Sequence, residues 1–131
     1  MDDIRVEELM TRDVVTCSPE QPLLDVVAQL STRKFSCILV TEDDIPVGII
    51  TERDLVEVLF ETLQGVTWNE LAIKNFMSSP VVTVSEDTLL EEAVSISHMK
   101  KIRHMPVVDT DGILTGILTQ TDLIAGCYQS S

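Results

Sequence analysis

The chain has 131 residues, of which 44% are hydrophobic and 24% are charged, so it has enough apolar material for a packed interior and is not a disordered chain. Nine Lys and Arg residues against 22 Asp and Glu residues give a net charge of −13, which disfavours binding to nucleic acid over a broad surface. No apolar run approaches the ~20 residues that span a bilayer, and the first residues lack a signal-peptide pattern, so we expect neither membrane insertion nor secretion.

The first half of the chain predicts the element order strand, helix, strand, strand, helix. β-Branched residues at Val14–Thr16 indicate a short strand, and Pro22 with the helically spaced apolar residues after it indicates the start of a helix. Cys37–Val40 is a short apolar run typical of a buried strand, and Val47–Ile50 returns as its partner. A second helix is predicted to begin at Thr51.

After a linker at Gln64–Val66 and a short helix from about Trp68 to Asn75, the second half predicts the same order. Val81–Val84 is the first strand, and Thr88 with Glu91 forms a Thr-x-x-Glu capping box that predicts the next helix. Two strands then follow at Met105–Val108 and Leu114–Leu118, and a final helix begins at Thr119.

The turns between the paired strands differ in the two halves. Thr110–Gly112 carries the Asp-Gly pair that is typical of a hairpin turn. Asp43–Pro46 takes the same place in the first half without a glycine, so its turn type must differ.

An internal repeat explains why the two halves agree. Met10–Ser18 recurs as Met77–Ser85, 67 residues later, and Gly48–Leu55 recurs as Gly116–Leu123. Each copy is too small to bury its own apolar face well, so we expect one pseudo-symmetric unit. The predicted boundaries are residues 6–63 for the first repeat, 64–75 for the linker and short helix, and 76–127 for the second repeat.

The sharpest recurring element is Gly-x-x-Thr-x-x-Asp, present as Gly48-Thr51-Asp54 and as Gly116-Thr119-Asp122. The free N–H groups at the start of a helix favour an anion such as a phosphate, and a carboxylate one turn later can accept two hydrogen bonds from a ribose diol. The motif therefore predicts a nucleotide half-site, supplied twice. The same spacing is also that of a capping box without function, and the sequence alone leaves both interpretations open.

The densest basic cluster is Lys100–His104, immediately before a buried strand. It could neutralise phosphates, or it could be a solvated helix end where cations suit the macrodipole. The first copy has Ser36 and Cys37 in place of Arg103 and His104, so we expect the two half-sites to be chemically unequal.

No motif predicts catalysis or metal binding. His98 and His104 lack a paired ligand spacing, and no nucleophile elbow or phosphate-binding loop is present, so we expect no enzyme, no catalytic residue and no metal. The three cysteines are odd in number and contain no Cys-x-x-Cys motif, which fits a reducing cytoplasm.

Three features together resemble the cystathionine β-synthase (CBS) domain, and two copies in tandem resemble a Bateman module. They are the Met-Thr/Ser…Val-Val-Thr segments, the strand Ile102–Asp109 and the motif Gly-x-x-Thr-x-x-Asp-Leu. The resemblance extends from about Val6 to Ile124. It implies an α/β fold of the α+β type, in which two β-α-β-β-α repeats pack through their sheets as a pseudo-twofold pair.

The resemblance also implies a ligand and its contacts. CBS pairs hold adenosine compounds such as AMP, ADP, ATP or S-adenosylmethionine in clefts between the repeats, as regulatory ligands rather than required cofactors, and they often form homodimers. The residues that it assigns are Asp54 and Asp122 for the ribose, Thr51 and Thr119 for ribose or phosphate, Arg103 and His104 for phosphates, and Val15 (with Asp122) and Val82 (with Asp54) for adenine.

The main hypothesis is therefore a stand-alone adenosyl-ligand sensor that changes shape or affinity for a protein effector when its ligand binds. The alternative is a ligand-free structural module that dimerises and scaffolds a partner, with Asp54 and Asp122 acting only as helix caps. An enzyme ranks last, because no acid, base and nucleophile converge.

Overall fold

The computed structural model describes residues 3–33, 37–67 and 71–130. The elements in chain order are β1 (Thr16–Cys17), α1 (Leu23–Arg33), β2 (Cys37–Glu42), β3 (Ile45–Thr51), α2 (Glu52–Leu63), β4 (Val84–Ser85), α3 (Leu90–Lys100), β5 (His104–Val108), β6 (Leu114–Thr119) and α4 (Gln120–Ser130). The predicted order strand, helix, strand, strand, helix is confirmed in both halves. Short 3₁₀ turns at Val6–Glu8 and Ile73–Asn75 precede the two halves.

Each half forms a three-stranded sheet with the same topology, β1-β2-β3 and β4-β5-β6. The first strand of each sheet runs parallel to the second, and the second runs antiparallel to the third. The pairing register shifts between Val40 and Thr41 in one sheet and between Val107 and Val108 in the other. The irregularity is therefore repeated along with the sequence.

The first strand of each sheet is shorter than the strand that the sequence predicts, and it begins further along the chain. Regular pairing is confined to Thr16 and Cys17 in β1 and to Val84 and Ser85 in β4. Val15 contributes only its carbonyl, which accepts a hydrogen bond from Leu39 N–H at 3.0 Å. The valines that precede each strand are therefore half-buried but lie outside the regular pairing of the sheet.

The chain forms two compact units that do not coincide with the sequence repeats. One unit consists of Val15–Val81, and the other joins Met1–Val14 to Val82–Ser131. Val6, which is fully buried, and Met10 belong to the apolar core of the second-repeat sheet, whereas Ile73 belongs to the core of the first-repeat sheet. We call the stretch of chain before the first strand of each repeat its lead-in segment; it contains Val6 and Met10 in the first case and Ile73 in the second. Each lead-in segment thus packs in the unit that contains the other repeat's sheet. The predicted repeat boundaries stay a prediction, because the compact units and the sequence repeats are different divisions of the chain.

These lead-in segments also supply the backbone partners at two helix starts. Leu90 N–H, at the start of α3, donates to Ile4 O at 2.8 Å, and Leu23 N–H, at the start of α1, donates to Leu71 O at 3.1 Å. The predicted capping box of Thr88 and Glu91 is wrong, because residue 89 is the N-cap of α3 and its side chain makes no capping bond. Thr88 Oγ1 accepts from Ser85 N–H at 3.2 Å instead.

The two hairpin turns differ, as the sequence predicts. Asp43 and Asp44 both have positive φ, 52° and 64°, which is the requirement of a two-residue turn of type I′. The second hairpin has a longer turn with Gly112 at φ 81°, and Asp109 Oδ1 accepts from Asp111 N–H at 2.8 Å.

The predicted helix from Trp68 to Asn75 begins outside the described residues, and its described part contains the 3₁₀ turn at Ile73–Asn75. Among the helices of the described residues, none combines the length and apolar character needed to cross a membrane.

Candidate ligand-binding site

Asp122 and Thr119 form a reciprocal hydrogen-bonded pair where β6 passes into α4. Asp122 Oδ2 accepts from Thr119 N–H at 2.9 Å, and Asp122 N–H donates to Thr119 Oγ1 at 3.2 Å. Both residues are half-buried. This is the geometry of a capping box. The Thr-x-x-Asp motif therefore caps α4, whether or not it also binds a ligand.

A third residue, Thr11, approaches the same carboxylate from the lead-in segment. Thr11 N–H donates to Ile117 O at 2.8 Å, and Ile117 N–H donates to Thr11 O at 2.9 Å, which fixes the segment against β6. Thr11 Oγ1 then lies 3.4 Å from Asp122 Oδ2 and 3.5 Å from Oδ1. No sequence motif singles out Thr11 as a site residue, although a hydroxyl residue follows the repeated methionine in both copies.

Capping α4 leaves Asp122 with acceptor capacity. A carboxylate offers about four lone-pair positions. The backbone bond from Thr119 is short, whereas the separations to Thr11 exceed the ~2.5–2.7 Å of a strong hydroxyl–carboxylate bond. Asp122 can therefore cap the helix and still accept hydrogen bonds from a diol, so capping and ribose binding are compatible.

The first repeat builds the same arrangement around Asp54. Asp54 Oδ2 accepts from Thr51 N–H at 2.8 Å and from Thr51 Oγ1 at 3.2 Å. Ser78 Oγ lies 3.4 Å from Asp54 Oδ1. Ser78 N–H donates to Ile49 O at 2.9 Å, and Ile49 N–H donates to Ser78 O at 3.1 Å. Ser78 thus occupies the position in this unit that Thr11 occupies in the other.

The basic segment of the second repeat lies beside the start of α4. Lys101 adopts a left-handed conformation, φ 56°, that ends α3 and turns the chain toward β5. Gln120 N–H, the first of α4, donates to Arg103 O at 2.9 Å, and His104 pairs with Thr119 across the sheet. One unit therefore brings together four of the predicted site residues, Arg103, His104, Thr119 and Asp122.

His104 and Arg103 differ in charge at neutral pH. Burial, and then the positive charge of neighbouring Arg103, lower the pKa of His104 below its ordinary value of 6.5. The imidazole is therefore neutral at pH 7, while the exposed guanidinium of Arg103 stays charged. The permanent cation at this site is Arg103, and a nearby anion would favour protonation of His104.

The corresponding position in the first repeat carries different chemistry. Cys37 pairs with Thr51 in the register that His104 and Thr119 share, and it is half-buried. Asp43 and Asp44 are exposed at the hairpin turn, which closes the opposite end of the β2–β3 pair from Cys37 and Thr51. Ser36, the counterpart of Arg103, lies outside the described residues. The two sheets therefore differ in residue type at this register position, and the inequality of the half-sites stays a prediction.

The two valines predicted to frame adenine are both half-buried. Val15 packs against the core of the first-repeat sheet, and Val82 precedes β4. Each valine and the aspartate predicted to share its ligand belong to different compact units, so these roles stay predictions.

The described residues contain no group of three or more His, Cys, Asp and Glu side chains placed to hold a metal ion. Burial raises the pKa of Cys17 to about 11, so this thiol is protonated at neutral pH and behaves as a small core residue.

Comparison with protein families finds the same repeat. Residues 6–61 and 73–127 each match the family model of the CBS domain. An uncharacterised protein of Methanopyrus kandleri is 39% identical over 125 residues, which cover 95% of this chain and 63% of that protein. The inosine-5'-monophosphate dehydrogenase of Thermoplasma acidophilum is 34% identical over 120 residues, covering 92% of this chain and 23% of the dehydrogenase. The chain thus spans less than two thirds of these curated relatives.

Solved structures share the fold over nearly the whole chain. The crystal structure of CBSX2 in complex with AMP has a TM-score of 0.82 at 28% identity, covering 95% of this chain and 96% of that one. CBSX2 is a CBS-pair protein from Arabidopsis thaliana. The CBS-domain protein ATU1752 of Agrobacterium tumefaciens has a TM-score of 0.79 at 28% identity, covering 95% and 99% of the two chains.

Proposed function

The chain belongs to the CBS-domain family, of which it contains two copies, and on that premise we propose that it is a regulatory module that senses an adenosyl ligand. The ligand is AMP, ADP, ATP or S-adenosylmethionine. Asp122 and Asp54 accept hydrogen bonds from ribose hydroxyls, Thr119 and Thr51 contact ribose or phosphate, and Val15 and Val82 frame adenine. No catalytic step is assigned to the module.

One arrangement carries this proposal, the cluster of Arg103, His104, Thr119 and Asp122 at the start of α4. A guanidinium and a helix N-terminus favour a phosphate, while a carboxylate with spare acceptor positions suits a sugar diol. A nucleoside phosphate presents both groups a few bonds apart. The AMP complex of the structural relative CBSX2 supports AMP as the first ligand to test.

The two half-sites should differ in strength. Arg103 and His104 serve the Asp122 half-site, whereas the Asp54 half-site has the uncharged Cys37 at the matching register position. We therefore assign phosphate-bearing ligands to the Asp122 half-site first. An uncharged adenosine group suits the Asp54 half-site better.

Asp122→Ala should weaken AMP binding more than Asp54→Ala. Loss of hydrogen bonds to a charged group costs about 1.5–3 kcal/mol, which corresponds to a roughly 10- to 150-fold loss of affinity. The measurement is calorimetric titration of both variants, after a thermal-shift panel of AMP, ADP, ATP and S-adenosylmethionine with the natural chain. Ligand at a hundredfold excess over Kd stabilises the fold by about 2.7 kcal/mol, which such a panel detects.

The two variants control for each other, because each removes the same kind of helix cap. A difference in affinity between them therefore reports the ligand rather than the cap. Equal losses would contradict the ranking of the half-sites. Absence of any thermal shift at millimolar concentrations of all four ligands would contradict the sensor.

A second candidate function, a ligand-free assembly module, is favoured by a specific observation. The capping bonds already give both aspartates a structural role, and large apolar side chains are exposed on α2 and α4. This function predicts a stable oligomer in light scattering together with no response to any adenosyl ligand. The sensor predicts a response.

We infer that the module acts as a homodimer in the cytoplasm and reports to a protein effector. The exposed apolar helix faces support self-association. The three cysteines, Cys17, Cys37 and Cys127, are thiols rather than disulfides, which suits a reducing compartment. Light scattering tests the dimer.

A further inference from the structure

A groove lies between α3, α4 and the turn into β5, within the unit that contains the second-repeat sheet. Its volume is about 570 Å³, and small-molecule sites span roughly 300–1,000 Å³. Each helix lines the groove with residues at the spacing i, i+3, i+4, i+7, namely Val94, Ser97, His98 and the C-cap Lys101 for α3, and Gln120, Leu123, Ile124 and Cys127 for α4. The groove is therefore about two helical turns, or roughly 10 Å, in length.

Most of the lining along the groove is apolar. Leu123 is buried, Val94, Ile102 and Cys127 are half-buried, and Ile124 is exposed over 64% of its surface. These side chains present to water an apolar surface that the unit itself does not cover. Because removing such a surface from water is favourable, the groove suits an apolar chain about as long as two turns of helix.

One end of the groove is cationic. Lys101 ends α3, and Arg103 O accepts from Gln120 N–H at the start of α4, so the two helices meet at this end. Lys101 and Arg103 are exposed, and within the described residues neither side chain forms an ion pair or a hydrogen bond. No Asp or Glu of the described residues lines the groove. In a chain with 22 acidic residues and a net charge of −13, two cations without a carboxylate partner at a cavity favour an anion from outside the chain.

The backbone at Lys101 supports a role for its side chain. Lys101 has φ 56° and ψ 45°, the left-handed conformation that favours glycine. Its N–H donates to Ser97 O, and Ile102 N–H donates to the same carbonyl at 3.2 Å. A helix end of this kind requires only a backbone that tolerates positive φ, so glycine would end α3 at least as well. What lysine adds at this position is an ammonium group beside the groove.

The groove and the proposed ribose contact use different faces of α4. Asp122 is about 200° of helical rotation from Ile124, at about 100° per residue, and its carboxylate contacts Thr119 instead. Arg103 belongs both to the groove and to the proposed nucleotide half-site. Lys101 and Ile124 have no role in that half-site, so variants at these two positions test the groove itself.

We propose that the groove binds a single-chain amphiphile with an anionic head, a medium-chain fatty acid. The carboxylate lies between Lys101 and Arg103, because a guanidinium holds a carboxylate through two parallel hydrogen bonds and an ammonium adds a second charge. The hydrocarbon chain lies along Val94, Leu123 and Ile124. An anionic membrane surface is disfavoured as the occupant, since it repels a chain with a net charge of −13. Binding of this kind goes beyond the proposed function and requires no nucleotide.

Calorimetric titration of the natural chain with fatty acids of increasing length tests the proposal. We expect affinity to rise about fourfold per methylene from hexanoate to decanoate, because each buried methylene adds a similar transfer free energy. Acetate has the head without the chain, and decyltrimethylammonium has the chain with a cationic head, so both should bind at least about tenfold more weakly than decanoate. Equal binding of decanoate and decyltrimethylammonium, or no binding of decanoate, would overturn the proposal.

Lys101→Gly separates the ligand contact from the fold. Glycine suits the left-handed conformation, so we expect the thermal midpoint to stay the same or to rise. Loss of an exposed charge contact should lower the affinity for decanoate roughly threefold to tenfold. A variant that binds decanoate as tightly as the natural chain would overturn the placement of the carboxylate at Lys101.

Ile124→Glu places a carboxylate in the apolar part of the groove and should weaken decanoate binding by about tenfold or more. Val56→Glu is the matched control, because Val56 lies on α2 in the other unit and is exposed over the same 64% of its surface. We expect this control to bind decanoate like the natural chain. Equal losses in the two variants, or no loss in either, would show that decanoate binds elsewhere and would overturn the proposal.

Two other occupants of the groove give different results. Binding to phosphatidylglycerol vesicles without binding of decanoate would assign the groove to a membrane surface. A decanoate affinity that falls as the protein concentration rises would show that a second copy covers the groove. Either result overturns the proposal.

Failure of the fatty-acid site and failure of the sensor are separable, because the AMP thermal shift is a separate measurement on the natural chain. Binding of decanoate without a nucleotide response leaves the groove site intact and contradicts the sensor. A nucleotide response without binding of decanoate overturns the groove site and leaves the sensor intact.

Discussion

Asp54 and Asp122 each accept a short backbone hydrogen bond from the threonine three residues before them and still have acceptor positions to spare. The sequence alone does not distinguish a helix cap from a ligand contact, because both use the same residue types at the same spacing. The geometry shows that the two uses are compatible. Thr11 and Ser78 place a hydroxyl beside each carboxylate, at equivalent positions of the two repeats. A local sequence motif does not reveal these contacts, because each hydroxyl residue lies far from its aspartate in sequence.

His104 should make stability depend on pH in the slightly acidic range. Burial, and then Arg103, lower its pKa in the folded state, so below about pH 6.5 the unfolded chain binds a proton that the folded chain does not. Stability is therefore lost as the pH falls below that value. We expect the urea midpoint to drop between pH 7.5 and 5.5, and the drop to be smaller in His104→Gln. An identical pH dependence in the variant would contradict this assignment.

At the scale of secondary-structure elements, patterns within a few residues predict the strands, helices and hairpins well. Features that depend on contacts between distant residues are not predicted by such patterns. The alternation of strands and helices follows from apolar runs and turn residues, and both hairpins form where the sequence places them. The start of α3 could not be predicted, because its first N–H bonds to Ile4 O, about 86 positions away along the chain (residues 4 and 90). Thr88 was therefore a misleading local signal.

The glycines that open the two motifs should respond unequally to alanine. A Cβ at Gly116 would lie 2.9 Å from Thr11 O, which is fixed by its bond to Ile117, and 2.8 Å from Met10 Sδ. A Cβ at Gly48 would meet only the Met77 side chain among its nearest atoms, and that side chain can move.

We expect Gly116→Ala to cost about 1–3 kcal/mol of unfolding free energy, as overpacking does, and Gly48→Ala to cost less. Urea unfolding of both variants measures the difference. Because Thr11 contacts Asp122, Gly116→Ala should also weaken AMP binding. A Gly48 variant that is the less stable of the two would show that the Met77 side chain cannot yield.

At the scale of the whole molecule, the compact units cross the sequence repeats. Each unit takes its sheet and helices from one repeat and its lead-in segment from the chain that precedes the other repeat. The duplication is plain in the sequence. The sequence does not show which sheet each lead-in segment packs against, because apolar residues such as Val6 and Ile73 would fit either equivalent core.

Fragments should therefore fold according to the units and not to the repeats. The fragment 82–131 lacks Val6 and Met10, which are core residues of its unit, and burial of a single aliphatic side chain is worth about 1.5–3 kcal/mol. Against a total stability of about 5–15 kcal/mol, we expect this fragment to show no cooperative urea transition. The matched polypeptide joins residues 1–14 to 82–131 through a flexible Gly/Ser linker and should unfold cooperatively, as should the contiguous fragment 15–81. Equal unfolding curves with and without residues 1–14 would mean that the lead-in segment contributes nothing to the core in which Val6 is buried.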